Sequence, residues 1–197
     1  MPENPLSRRL TPVARFLSLL AGYGILALSV LIGAEVLLRR FFNVSLQGAD
    51  EYGGYALAIL AAFGFSLTLL ERGHTRIEIV IGRLGQGGRA LLNWLSALSM
   101  AAMAAFAAWR AVTTLLESID YGSLSGTPLM TPLWVPQLFW AGGMLFFALV
   151  AGLLAVQASW LLAADRRSLN AWHGIKTLSE EIEEEQQTLG LRGEVLR

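Results

Sequence analysis

The stretch Tyr121–Ala164, YGSLSGTPLMTPLWVPQLFWAGGMLFFALVAGLLAVQASWLLAA, runs for 44 residues without Asp, Glu, Lys, Arg or His. Its first third, from Tyr121 to Pro132, is dense in Gly, Ser, Thr and Pro and reads as turn chemistry. The remainder, 133–162, is long and apolar enough to cross a bilayer, whose ~30 Å hydrocarbon core needs about 20 residues of helix. Three more uncharged stretches precede it: Phe16–Ala34 (19 residues), Tyr52–Leu70 (19) and Ala90–Trp109 (20). Each is one span. The sequence therefore predicts an all-α membrane protein with four transmembrane helices at about 13–37, 52–70, 89–117 and 133–162. They form a membrane domain over 1–164, followed by a charged tail over 165–197.

Composition agrees with this reading. The chain is 54% hydrophobic and only 15% charged, with a mean hydropathy of +0.52, whereas soluble chains carry about 25% charged residues. Fifteen basic residues balance fifteen acidic ones, so there is no basic field for nucleic acid. With no cysteine, disulfides, thiolate nucleophiles, iron–sulfur clusters and Cys-based zinc sites are excluded. The first apolar stretch is longer than a signal-peptide core and ends in Glu35 and Arg39-Arg40 rather than at a small-residue cleavage site, so it is expected to stay as an uncleaved helix.

Basic residues set the expected orientation. Arg8, Arg9, Arg15, Arg72, Arg76, Arg83, Arg89, Arg166, Arg167 and Lys176 fall on one side, against Arg39, Arg40 and Arg110 on the other. That asymmetry predicts cytoplasmic N and C termini, with loops 38–51 and 110–132 facing outward. Reporter fusions after Arg167 are expected to behave as cytoplasmic and those near Ser125 as periplasmic; the reverse pattern would overturn the map.

Within the spans, small residues recur where helices would meet. Gly54, Ala58, Ala62 and Ser66 form a ridge at i, i+4, i+8 and i+12 in the second span. Ala97, Ala101, Ala105 and Ala108, with Ala104 beside them, do so in the third, and Gly143, Ala148, Ala151, Gly152 and Ala155 in the fourth. Lipid gives helices no hydrophobic reason to associate, so such ridges mark close contact faces. Charged residues are missing from the middle of every span, where a transport path would normally place them. No span is broken at mid-depth as substrate-binding half-helices often are.

Charge gathers instead at the membrane edges. Glu35 and Arg39 have the favourable i, i+4 order of a helical pair. Asp50-Glu51 suits the positive end of the second helix. After that helix comes Glu71-Arg72-Gly73-His74-Thr75-Arg76-Ile77-Glu78, where Gly73 is the residue suited to a sharp turn. Ile77, Val80, Ile81 and Leu84 then predict a short amphipathic helix lying in the interface. In the tail, Thr177-x-x-Glu180 resembles a capping box and predicts a charged cytoplasmic helix to about Leu189. Neither histidine, His74 or His173, lies within a span, so an axial haem ligand at bilayer depth is missing. No Ser/His/Asp set, HExxH or phosphate loop occurs. Neither an enzyme nor a cofactor or metal site is expected.

The edge motifs carry a resemblance. Arg39-Arg40-Phe41-Phe42-Asn43, Ala49-Asp50-Glu51-Tyr52, Arg72-Gly73-His74-Thr75-Arg76-Ile77-Glu78, Thr127-Pro128-Leu129 and Pro132-Leu133-Trp134-Val135-Pro136-Gln137 resemble, in order and spacing, the small membrane subunit of tripartite ATP-independent periplasmic (TRAP) transporters. The resemblance covers about 12–164. The chain departs from the family at Gln47-Gly48, where Pro-Trp is common, and at His74-Thr-Arg-Ile-Glu78, where His-Ile-Arg-Val-Asp is usual; both leave the substrate subfamily open. The resemblance implies a bacterial inner-membrane complex with two protein partners. A periplasmic binding protein captures an organic acid, either a carboxylate or a sialic-acid-like solute. A large membrane subunit moves it inward on a sodium gradient, while the small subunit, itself surrounded by membrane lipid, braces the large one. Arg39, Asp50, Glu51, Arg72, Gly73, His74, Arg76, Glu78 and the ridge Gly54, Ala58, Ala62 and Ser66 are the candidate interface or structural residues. A membrane anchor for a redox enzyme and a stand-alone four-helix exporter are the alternatives. The first predicts cofactor ligands in the spans and the second a mid-depth carboxylate.

Overall fold

A computed structural model describes residues 4–44, 48–73 and 84–174. Within these it forms five helices: α1 (Pro5–Phe42), α2 (Ala49–Leu70), α3 (Gln86–Asp120), α4 (Trp134–Ala164) and α5 (Arg166–His173). The first four are long and apolar enough to cross a membrane, so the chain is an all-α membrane protein. The helices overrun the predicted spans, most of all at both ends of α1. The reason is that polar residues at a span's edge remain good helix formers or caps; the membrane limits the apolar part, not the helix. The interfacial helix expected around 77–84 and the tail helix expected up to Leu189 lie outside the described residues, apart from Leu84.

Each helix end has a local cause. The Asn4 side chain caps α1 by accepting from the Leu6 amide at 3.0 Å, with Pro5 in the first turn, where its missing N–H costs little. α3 ends in a Schellman turn: Gly122 takes φ +57°, its N–H bonds the Ile119 carbonyl, and the Ser123 N–H reaches back to Ser118. α2 ends in the same motif, with Arg72 bonding Leu69 and Gly73 bonding Thr68. Here the left-handed residue is Arg72, at φ +58°. The turn expected at Gly73 is thus made one residue earlier, by a side chain that other contacts hold in place.

Packing follows the order α1–α2–α4–α3, each span lying along the next. α4 is the most covered span, whereas the most apolar stretch of α1 has no buried residue. Four apolar clusters run along α4. Ala111, Leu115 and Ala141 are followed by Ala104, Phe147 and Ala151, then by Ala14, Leu70, Val150 and Leu154, and last by Ala90, Ala158, Leu161 and Leu169. The packing is that of a layer, not a closed bundle.

α2 and α4 approach closely at Gly143. A Cβ there would stand 2.7 Å from the Ala62 Cβ and 3.2 Å from the Ala62 carbonyl carbon. Dispersion at such a backbone contact substitutes for the hydrophobic force that lipid withholds. Polar bonds tie the other neighbouring pairs together. Ser18 Oγ donates to the Phe63 carbonyl at 3.3 Å between α1 and α2, and Trp94 Nε1 donates to Ser159 Oγ at 2.9 Å between α3 and α4.

Candidate subunit interface

The ridge on α2 divides in two. Ala62 and Ser66 are fully buried, with Ala62 against Gly143 of α4. Gly54 and Ala58, two turns and one turn nearer the opposite end, are exposed, and a Cβ on Gly54 would meet nothing within 4 Å. Half of the predicted contact face is therefore used inside the chain and half is open. On α3 the packed stripe runs through Ala90, Asn93, Ala104, Ala108, Ala111, Leu115 and Ser118. Ala105, which the i+4 reading placed on the contact face, is exposed, because a straight helix face advances by three as often as by four.

At the end that holds the α1–α2 and α3–α4 connections, Glu51 organises the chain. Its carboxylate accepts from Tyr55 Oη at 2.7 Å and from the Thr127 hydroxyl. Thr127 Oγ1 lies 2.9 Å from Ser125 Oγ, which accepts from the Thr131 amide at 2.9 Å. A backbone bond from Ser125 N–H to the Thr131 carbonyl closes the loop, as does an antiparallel bridge between Leu124 and Pro132. Leu129 covers Gly48, whose φ of +96° and missing Cβ leave the necessary room: an added Cβ would fall 1.9 Å from Leu129 Cδ1. The α3–α4 loop is thus clasped to the first turn of α2. Asp50 lies in that turn. Close by along the chain, buried Glu35 pairs with Arg39, the i, i+4 pair the spacing predicts.

At the other end, Arg72 reaches an element the sequence reading missed. Its Nη1 donates to the Ala171 carbonyl of α5 at 2.9 Å. α5 folds back under the span ends, with Leu169 fully buried. Asn170 holds it there, accepting from Asn93 Nδ2 at 2.9 Å and donating to the Gln86 carbonyl at 3.1 Å. Asp165 caps it through Ser168 and Arg167, and the Ser168 hydroxyl at 2.6 Å, followed by the backbone bonds, holds the Asp165 carboxyl below its usual range. Asn4 and Gln157 exchange two amide hydrogen bonds, each 2.8 Å, joining the start of α1 to α4. The outward signal for α5 was Asp165-x-x-Ser168 before Leu169. Nothing in the sequence joins Gln157 to Asn4, because the two are 153 positions apart. Arg15 and Glu71 pair at 3.1 Å on the surface of this end, where such pairs contribute little. His74, Arg76 and Glu78 lie outside the described residues.

Among the described residues no cluster of His, Cys, Asp and Glu could hold a metal ion, and the buried polar side chains are Asn4, Glu35, Ser66, Asn93, Ser118 and His173. Ser66 Oγ alone among these sits deep in a span without a hydrogen-bond partner. No curated protein and no solved structure matches the chain. The family model described as "Tripartite ATP-independent periplasmic transporters, DctQ component" matches residues 28–161, about two thirds of the sequence. The chain belongs to the DctQ family: it is the small membrane component of a tripartite ATP-independent periplasmic transporter.

Proposed function

We propose that this chain braces the large membrane subunit of a sodium-driven organic-acid importer in the inner membrane and carries no substrate itself. The observation that supports this best is the layer α1–α2–α4–α3, whose faces are broad and apolar. Transport routes need polar or ionisable groups facing a cavity. Among the described residues the buried polar groups are few, and Asn93 and Asn4 are occupied in ties between helices. A layer standing beside a moving partner does two things for it: it widens the partner's footprint in lipid, and it resists being dragged along.

The open half of the α2 ridge is the surface we assign to the large subunit. Gly54 and Ala58 permit the close backbone approach on which membrane helices rely. The termini are cytoplasmic on this reading, which puts the clasped 121–133 loop on the periplasmic side, where the solute-loaded binding protein arrives. His74, Arg76 and Glu78, outside the described residues, stay candidate contacts for the same partner on their sequence alone. The experiment is co-purification of the large subunit with tagged variants. Ala58→Phe is expected to lower recovery severalfold, whereas Met103→Phe, at an exposed position on α3, leaves it near the wild-type level. Equal recovery from both variants would remove the α2 ridge from the interface.

A further inference from the structure

We propose that the cavity at the Arg72 end of the layer is a binding site for the phosphate group of an anionic phospholipid. This cavity, of about 130 Å³, lies between the start of α1, the end of α2, α3, α4 and α5. Its size admits a phosphate group with a water or two, since liquid water takes ~30 Å³ per molecule, but not a whole lipid. Its wall is divided in character. Asn4, Ser7 and Arg72 sit at helix ends, and Met100, Ala151 and Leu154 lie further along the spans. That sequence of polar then apolar wall matches the junction of head group and acyl chain in a bilayer leaflet, whereas a free anion has no use for the apolar half.

Arg72 supplies the charge. One guanidinium N–H is committed to the Ala171 carbonyl; this fixes the side chain over the cavity while the rest of the fork remains available for phosphate oxygens. The backbone supports the same placement, because Arg72 is held at φ +58° by the Schellman bonds of α2. Left-handed backbone is disfavoured at a non-glycine residue, and a glycine at this position would avoid that cost. The surrounding field is favourable. Arg8, Arg9, Arg15, Arg89, Arg166 and Arg167 are all exposed at this end, and Arg72 is the half-buried one among the described arginines there. Basic pockets between membrane helices are where anionic head groups settle, drawn by a field that the exposed arginines extend.

The test titrates the purified full chain in detergent with phosphatidylglycerol and with phosphatidylcholine, and counts retained lipid by native mass spectrometry. The wild type is expected to keep one phosphatidylglycerol at about tenfold lower concentration than phosphatidylcholine, and Arg72→Gly to lose that preference. Arg72→Gly suits the left-handed backbone, so its fold is expected to persist; Arg72→Lys retains the cation and most of the preference. Ser96→Phe, from another wall of the cavity, abolishes retention without touching the Arg72–Ala171 bond. Arg9→Ala, an exposed arginine at the same end, leaves it within about twofold, as a screened surface charge should. Equal retention by the wild type, Arg72→Gly and Ser96→Phe would overturn the site. Displacement of the lipid by millimolar inorganic phosphate would assign the cavity to a free anion and overturn the lipid.

Discussion

Gly143→Leu is expected to separate α2 from α4 and unfold the layer at its centre, while Gly142→Leu, one residue away, is tolerated. The two glycines share a helix, a depth and a composition, and differ in what surrounds them. A Cβ on Gly142 would meet nothing within 4 Å, whereas one on Gly143 would stand 2.7 Å from the Ala62 Cβ and 3.3 Å from the Phe63 amide nitrogen. Backbone cannot rotate away as a side chain can. Overpacking costs about 1–3 kcal/mol, occasionally more, and a leucine at Gly143 must also push apart the Ala62–Ser66 face. Even Gly143→Ala should lower the midpoint of thermal aggregation in detergent. Gly142→Ala should raise it slightly or leave it unchanged, because glycine within a helix is disfavoured against alanine by roughly 0.5–1 kcal/mol. Equal midpoints for the two alanine variants would show that α2 and α4 are not in backbone contact.

The second large effect belongs to Glu51. Glu51→Ala removes the acceptor shared by Tyr55 and Thr127, and the α3–α4 loop then keeps only its internal bonds. Amide hydrogen exchange within 123–133 is expected to quicken by about tenfold, since a charged acceptor is lost at both donors. Glu51→Gln retains an acceptor oxygen and should fall between. Gly48→Ala attacks the same clasp from the other side, by straining φ +96° and displacing Leu129. The helices themselves should be unaffected, so exchange within α4 serves as the internal reference. Unchanged loop exchange in Glu51→Ala and Gly48→Ala together would mean that the loop is held by something other than this clasp.

These two sites also mark how far the sequence could be read. The four spans were legible because bilayer thickness imposes a length that charge-free stretches reveal directly. The ridge on α2 was legible as a contact face, but not its division, since Ala62 and Ala58 differ only in what stands opposite. The shift from Ala105 to Ala104 on α3 arises from helix phase, which an i+4 count over twelve residues loses. Glu51 read as a helix-dipole residue because its partner Thr127 lies 76 positions away. Arg72 was singled out for the right edge but with the wrong turn: glycine is the usual left-handed residue, and here Arg72 takes that role while its side chain is held by Ala171. α5 was folded into the tail because eight residues are too few to show a period, although its cap, Asp165, was there to be seen.

On the proposed reading, this chain supports transport and does not perform it. The direct measurement is solute uptake by proteoliposomes under an inward sodium gradient, with the large subunit, the binding protein and this chain added singly and together. Uptake is expected only when all three are present, and Gly143→Leu is expected to abolish it along with co-purification. Sodium-driven uptake by this chain reconstituted alone, or full uptake by the large subunit and binding protein without it, would contradict the account.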